Sequence, residues 1–144
     1  LQRMHVKYKT REQKVQEFHE AFKLDVNSQP RASLLELRKI LIMEEAREVS
    51  EVLDEMSMSL FREKPITPEQ SQKLLKELCD LQYVLSGTVV ALRNLSTENF
   101  DAAFNLVHKS NMSKLDKNGD VVYDSKGKVL KSSQYQEPDL SLLV

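Results

Sequence analysis

The sequence predicts an all-α fold, a four- to five-helix antiparallel bundle with a small C-terminal β-hairpin and an extended tail. Apolar residues recur at helical spacing in four long segments, and each segment follows a helix-capping signal. Glycine occurs only three times, and short β-prone runs are confined to the C-terminal end. The 144 residues, 1–144, are expected to form a single domain.

Capping boxes mark the first two helices. Thr10, with Gln13 three residues later, starts a helix that is predicted to run to about Leu24. Ser33, with Glu36 three residues later, starts a longer helix to about Met58. The apolar stripe of this second helix is formed by Leu34, Leu37, Leu41, Val49, Val52 and Met56.

The third and fourth helices also have clear starts. Thr67 is an N-cap followed by Pro68 at the first helical position and by Gln70 as box partner, and this helix is predicted to run to about Asn94. Its stripe is formed by Leu74, Leu78, Leu81, Leu85, Val89 and Leu92. Ser96 and Thr97 start the fourth helix, which is predicted to end near Leu115.

The two ends of the chain differ from the helical segments. Val121–Tyr123 and Lys128–Leu130 flank a turn that contains Gly127, which predicts a hairpin. Residues 118–144 are therefore predicted to form this hairpin and an extended tail. Leu1–Arg3 precede Met4 and are interpreted as a cloning remnant outside the fold.

Composition excludes several classes of function. The 21 basic and 22 acidic residues nearly cancel, so no overall field attracts nucleic acid or an anionic membrane. No long apolar run or signal peptide is evident, which favours a cytoplasmic protein. Cys79, the single cysteine, excludes an internal disulfide and is interpreted as a small buried hydrophobe. The few glycines exclude a glycine-rich phosphate loop.

Four acidic residues are predicted to face the core. At about 100° per residue, Glu45 and Glu48 fall within the apolar stripe of the second helix. Glu77 and Asp80 take similar inward positions on the third helix, about 60° apart. Glu44 lies on the flank of the same face. These positions predict one shared acidic cluster.

Carboxylates in such positions repel one another and are costly to remove from water, so they must be protonated, paired with bases or bound to cations. Oxygen ligands on helices favour Mg²⁺, with Mn²⁺ as a substitute, over zinc. A di-iron bundle would need Glu-x-x-His motifs, and none of His5, His19 and His108 has a Glu three residues before it. Periodicity alone leaves a solvated acidic face as the alternative.

The acidic motifs resemble those of a known superfamily. Glu44-Glu45-x-x-Glu48 and Glu77-x-x-Asp80 resemble the metal-binding signature of the all-α NTP pyrophosphatases, which include MazG-like proteins and phosphoribosyl-ATP pyrophosphohydrolases. Further strings that resemble the MazG-like branch are Glu17–Phe22, Asp80–Tyr83, Gly87-Thr88, Val107–Lys114, Gly127–Lys131 and Tyr135–Leu140. Together these strings span nearly the whole chain.

The resemblance implies hydrolysis of a nucleoside triphosphate between its α and β phosphates, on helices that assemble as a homodimer or tetramer. Mg²⁺ held by Glu45, Glu48, Glu77 and Asp80 would activate water and neutralise the triphosphate. Glu44 is expected to orient or deprotonate that water, so Glu44 and Glu48 are the catalytic candidates.

Further residues are candidate substrate contacts. His19 and Phe22 are placed to contact a nucleobase, with core packing as the alternative. Tyr83 lies away from the main stripe of its helix and is interpreted as part of a dimer interface. Basic and polar residues near the C-terminal end are candidate phosphate contacts, with ordinary surface charge as the alternative: Lys109, Asn111, Lys114 and Lys131.

Three functions are consistent with these patterns. The first is a house-cleaning hydrolase of (deoxy)nucleoside triphosphates, with dUTP or another pyrimidine deoxynucleotide as substrate by resemblance. The second is the phosphoribosyl-ATP pyrophosphatase of histidine synthesis, against which the C-terminal segment and Ser110–Met112 argue. The third is a non-catalytic helical module that binds partners and has no metal.

Overall fold

The regular structure of the protein is helical. The computed structural model describes residues 8–144. Its elements are α1 (Arg11–Ala21), α2 (Ala32–Phe61), α3 (Pro68–Ala91), α4 (Thr97–Met112) and a 3-10 helix (Ser141–Leu143), and residues 8–144 contain no β-strand. The predicted all-α class is confirmed. The interpretation of Leu1–Arg3 falls outside the described residues.

The chain divides into two compact units. The first, described over residues 8–94, holds α1, α2 and α3, and the second, Leu95–Val144, holds α4 and the 3-10 helix. Three of the four α-helices thus belong to the first unit. A bundle of four or five helices and a single domain therefore stay predictions.

In the first unit α3 packs against both other helices. At one end of the α2–α3 pair, Arg38 Nε donates a hydrogen bond to Thr88 Oγ1 at 3.1 Å. At the other end, Gln70 Nε2 donates to Ser59 Oγ at 3.0 Å. Because the start of α2 meets the end of α3, the two helices are antiparallel. Apolar side chains fill the core: Val15, Leu34, Val49, Val52, Val89, Val90 and Ala91.

Three of the predicted helix starts are confirmed, and one is wrong. The capping boxes at Thr10 and Thr67 form, and Ser96 accepts a hydrogen bond from the amide of Asn99. Ser33, in contrast, is not a cap, because α2 begins at Ala32 after Arg31, which makes no side-chain capping bond. The Arg31 guanidinium instead makes two 3.0 Å hydrogen bonds to the carboxylate of Asp25. That ion pair spans the loop that precedes α2.

Thr67 caps its helix and Ser33 does not, so replacing each by alanine is expected to change the free energy of unfolding by different amounts. Thr67→Ala is expected to lower the free energy of unfolding by about 1 kcal/mol, because it leaves the Gln70 amide without its acceptor. Ser33→Ala, the matched control, is expected to change it by less than about 0.5 kcal/mol. Urea denaturation monitored by circular dichroism measures both values. Equal losses at the two positions would mean that Ser33 caps α2 in solution.

Two helix ends use a left-handed residue that is not glycine. After α1, Lys23 has φ 59°, and the Leu24 amide donates to the His19 carbonyl at 2.8 Å. After α2, Glu63 has φ 57°, and the Lys64 amide donates to the Ser59 carbonyl at 2.8 Å. Both are Schellman motifs, which end a helix by satisfying its last carbonyls.

The end of α3 is set by the loop that precedes α2. The amides of Asn27 and Ser28 donate to the carbonyls of Val90 and Ala91, each at 2.8 Å. Leu92 is then extended, so α3 ends before the predicted Asn94. This contact ties the loop after α1 to the end of α3.

The structure does not show the predicted C-terminal hairpin as a pair of strands. Only one antiparallel bridge, between Tyr123 and Val129, joins its two arms in the described chain. The Asp124 carboxylate accepts from the amides of Lys126 and Lys128, which closes the turn locally. An isolated pair of strands is only marginally stable in water, and residues 8–144 contain no strand that could pack beside these two arms. The predicted extended tail ends in the 3-10 helix.

Several side chains predicted to be buried are exposed. Leu37, Leu78 and Leu85 are on the predicted stripes yet are 46%, 44% and 39% exposed. Cys79 is also exposed, so its interpretation as a buried hydrophobe is wrong. Among residues 8–144, no helix has both the length and the apolar character that crossing a membrane requires.

Candidate active site

Two glutamates project from the middle of α2 on its buried side. Glu45 and Glu48 are one turn apart and partly buried, next to the buried Val49 and Val52. The three-residue spacing places both carboxylates on one face of the helix. The sequence prediction that these two acids point inward agrees with this placement.

Two acids of α3 meet them. Glu77 is only 8% exposed and Asp80 is partly buried. One carboxylate oxygen from each of Glu45, Glu48, Glu77 and Asp80 lies within 4.8 Å of all the others. The antiparallel packing of α2 on α3 thus gathers the four predicted metal ligands into one acidic cluster, as we call these four residues below.

Two oxygens of the acidic cluster are buried without a hydrogen-bond partner. They are Glu45 Oε2 and Glu77 Oε2. A buried acceptor without a partner costs about 1–3 kcal/mol, and more when the group is charged. A divalent cation would satisfy both oxygens, and four carboxylate oxygens are the donor set that Mg²⁺ or Mn²⁺ accepts. The residues present therefore fit a metal ion.

The electrostatics of the acidic cluster also favour a bound cation. The pKa of Glu45 is raised, first by burial, then by a hydrogen bond with Glu48 and by the charges of Glu48, Asp80 and Glu44. On the open side, Lys76 Nζ lies 2.8 Å from Asp80 and 3.8 Å from Glu77. The hydrogen bond with Asp80 is the main reason that the pKa of Lys76 is raised. One exposed ammonium thus faces four carboxyl groups.

The raised pKa of Glu45 predicts how the metal-free protein responds to pH. Because the folded state holds this proton more tightly than the unfolded state, its contribution to stability is complete below the ordinary pKa of 4.5 and is lost as pH rises through the folded value. Glu45→Gln is therefore expected to raise the melting temperature in EDTA at pH 7 by about 3–5 °C, as relief of about 1 kcal/mol of repulsion would.

Calorimetry between pH 4 and pH 8 in EDTA measures this effect. Glu36→Gln is the matched control, because Glu36 is exposed on α2 and pairs with Lys39. It should leave the melting temperature and its pH slope unchanged. A lower melting temperature for Glu45→Gln would show that the carboxylate is stabilised by hydrogen bonds and not strained by repulsion.

Glu44 and the predicted nucleobase contacts occupy different environments. Glu44 is exposed beside the acidic cluster and is not one of its four members. His19 is 3% exposed, and its Nδ1 donates to the Asp25 carbonyl at 2.7 Å. Phe22 is 65% exposed and stacks on Phe18, with ring centroids 4.4 Å apart. The structure therefore buries His19 and exposes Phe22, and their substrate roles stay predictions.

The predicted phosphate contacts belong to the second unit. Lys109 and Asn111 are exposed in the last turn of α4, and Lys114 is partly buried just beyond it. Lys131 lies 4.5 Å from the ring centroid of Tyr135, a cation–π contact. None of these three lysines forms an ion pair within the described residues. Their ammonium groups are available to an anion.

Sequence reasoning missed a buried arginine. Arg38 is 7% exposed, and its Nη2 donates to the Val84 carbonyl at 2.9 Å. Burial is the main cause of the lowered pKa of its guanidinium, which the charge of Asp25 opposes. The available signal was its position four residues after Leu34 and seven before Glu45, on the same stripe. The criterion that identified Glu45, a charged residue on an apolar stripe, would also have identified Arg38.

Comparison with known proteins agrees with the acidic motif. A family model described as phosphoribosyl-ATP pyrophosphohydrolase matches residues 15–111, about two thirds of the chain, and that range contains the whole acidic cluster. Lys114 and Lys131 lie beyond the match. No curated protein matches the chain significantly. The chain therefore belongs to the phosphoribosyl-ATP pyrophosphohydrolase family of hydrolases, within the MazG-like all-α NTP pyrophosphatase superfamily.

Proposed function

We propose that the protein is a Mg²⁺-dependent nucleoside triphosphate pyrophosphohydrolase. It cleaves a (deoxy)nucleoside triphosphate between the α and β phosphates and releases the monophosphate and pyrophosphate. The observation that carries the proposal is the acidic cluster, in which one oxygen of each residue lies within 4.8 Å of the others and in which Glu45 Oε2 and Glu77 Oε2 are buried without partners. The family supplies the class of bond, an acid anhydride.

Each acidic residue has a part in this proposal. Glu45, Glu48, Glu77 and Asp80 would hold Mg²⁺, which supplies charge neutralisation at the phosphates and acidifies bound water. Glu44 is exposed beside Glu45 and accepts the proton of the attacking water. The water oxygen bonds to the α-phosphorus, the bond from that phosphorus to the bridging oxygen breaks, and pyrophosphate leaves.

The substrate preference is proposed from resemblance. We favour a pyrimidine deoxynucleotide such as dUTP, and a role in removing unwanted nucleotides from the cytoplasmic pool. Lys109, Asn111, Lys114 and Lys131 are proposed phosphate contacts, and His19 and Phe22 proposed base contacts. Replacing each by alanine and measuring KM separately from kcat tests these assignments.

The first test is a panel of canonical and modified nucleoside triphosphates with Mg²⁺ or Mn²⁺, assayed for pyrophosphate release. We expect release from at least one nucleotide, no release in EDTA, and restoration by either metal. If no nucleotide is hydrolysed with either metal, the proposal is wrong.

Phosphoribosyl-ATP is the second candidate substrate, because the matching family model carries that description. The same panel should therefore include it. Release of pyrophosphate from phosphoribosyl-ATP and from no free nucleotide would make histidine synthesis the function. Against this candidate stand the C-terminal segment beyond residue 111 and the Ser110–Met112 string, which resemble the MazG-like branch.

The non-catalytic helical module gives different results. It predicts no heat of Mg²⁺ binding in titration calorimetry and no loss of function in Glu48→Gln. The unpartnered oxygens of Glu45 and Glu77 favour the metal-binding proposal over this one.

We also propose that the protein self-associates as a homodimer or tetramer. Large apolar side chains on α2 and α3 are exposed within the described structure, among them Leu53, Leu75, Leu78 and Leu85. Contiguous exposed apolar surface is typical of protein interfaces. Light scattering coupled to gel filtration measures the mass in solution, and a monomer at all concentrations would contradict this assembly.

A further inference from the structure

Lys76 is a basic side chain in direct contact with the acidic cluster. It precedes Glu77 on α3, and its Nζ lies 2.8 Å from Asp80 Oδ2 and 3.8 Å from Glu77 Oε1. Among residues 8–144, no other basic side chain forms an ion pair with a member of the acidic cluster. Lys76 is therefore the internal counter-ion of the cluster in the metal-free protein.

The ammonium of Lys76 lies on the open side of the cluster. The Lys76 side chain is 68% exposed and that of Asp80 is 37% exposed, whereas that of Glu77 is only 11% exposed. Exposed ion pairs between residues four apart on a helix are weak, and a base that precedes its acid is the less favourable order. The contact with Asp80 is therefore released at little cost when a divalent cation binds the same oxygens.

An ammonium in this position has opposite effects on a bare metal ion and on a metal ion that carries a triphosphate. It competes with the metal for Asp80 and repels a cation bound a few ångströms away. A polyphosphate reverses the sign, because an ammonium on a flexible four-carbon stem is a good ligand for phosphate oxygens. Lys76 should therefore weaken the binding of Mg²⁺ alone and strengthen the binding of Mg²⁺ with a triphosphate.

We propose that Lys76 couples metal binding to substrate binding, as counter-ion of the acidic cluster before the metal arrives and as a phosphate contact afterwards. The inference rests on the proposed function, because it takes the cluster as the metal site and a triphosphate as its ligand. Lys76 is then a substrate-binding residue in the same compact unit as the cluster. The site accepts the metal–nucleotide complex in preference to the free ion.

Lys76→Met tests the inference, with Lys76→Arg as the conservative variant and Lys73→Met as the matched control. Lys73 lies one turn earlier on α3, is 57% exposed and pairs with Glu55 at 3.6 Å, outside the acidic cluster. Titration calorimetry measures two dissociation constants, one for Mg²⁺ alone and one for the Mg²⁺ complex of tripolyphosphate at a fixed excess of free Mg²⁺.

Lys76→Met should lower the dissociation constant of Mg²⁺ about 5-fold and raise that of the tripolyphosphate complex about 5-fold, the effect of one unit charge at a few ångströms in water. Lys76→Arg keeps the charge, so both constants should stay near the wild-type values. Lys73→Met should leave both unchanged. The opposite signs separate this role from a structural one, because a damaged site would bind both ligands more weakly.

The failure of the inference can be told apart from the failure of the proposed function. If the wild type releases pyrophosphate and Lys76→Met leaves both constants unchanged, or shifts both in the same direction, only the inference is wrong. If the wild type binds Mg²⁺ but hydrolyses no nucleotide, the proposed function is wrong, and tighter Mg²⁺ binding by Lys76→Met still supports the counter-ion role. If the wild type binds neither Mg²⁺ nor its tripolyphosphate complex, both are wrong.

Discussion

Glu48→Gln is expected to lower the rate of pyrophosphate release by about 10²–10³-fold, the size of loss seen when one preorganised electrostatic group is removed. Glu48 gives one of the four oxygens of the acidic cluster, and its carboxylate also adds to the charge that raises the pKa of Glu45. An amide oxygen is neutral, so it would hold Mg²⁺ more weakly and neutralise none of its charge. The lost activity should therefore be partly recovered at high Mg²⁺ concentration.

The fold should survive this substitution. Glutamine has nearly the same size, and removing one of four mutually repelling carboxylates favours the metal-free folded state. Melting in EDTA should therefore be unchanged or higher, while Glu36→Gln, exposed on the same helix, should keep full activity. Full activity of Glu48→Gln at low Mg²⁺ would remove Glu48 from the metal site.

The acidic cluster was accessible from sequence because helical periodicity is a local property. Four charged residues on apolar stripes needed only the 3.6-residue period to be placed on inward faces. The structure then gathers their oxygens within 4.8 Å. Helix starts at Thr10, Thr67 and Ser96 were accessible for the same reason, since a cap and its partner are three residues apart.

Features that depend on distant residues were not accessible. Arg31 before α2 pairs with Asp25, and Val90 and Ala91 at the end of α3 accept hydrogen bonds from Asn27 and Ser28. Leu78 and Leu85 are exposed, so the apolar stripe of α3 is wider than the part of it that packs against other residues of the first unit. Periodicity gives the stripe but not the partner that covers it. The buried position of Arg38 follows the stripe of α2, and only the focus on acids left this residue out.

Gly87→Ala is expected to destabilise the protein by about 1–3 kcal/mol, the usual cost of overpacking a filled interior. A loss of stability would be informative, because replacing glycine by alanine inside a helix ordinarily stabilises a protein by about 1 kcal/mol. At Gly87 an added Cβ would lie 2.5 Å from Arg38 Nη2 and 3.0 Å from His19 Nε2. Gly87 is fixed in α3 by the space that these two side chains require.

Neither neighbour can move away at low cost. Arg38 is long and flexible, but its guanidinium is buried and bonded to the Val84 carbonyl and to Thr88. His19 is held through Nδ1 by the Asp25 carbonyl. Arg38→Leu removes the closer of the two neighbours, so Gly87→Ala should cost less in that background, and a double-mutant cycle of urea denaturation measures the difference. If Gly87→Ala raises stability in the wild-type background, the contact between Arg38 and α3 is loose.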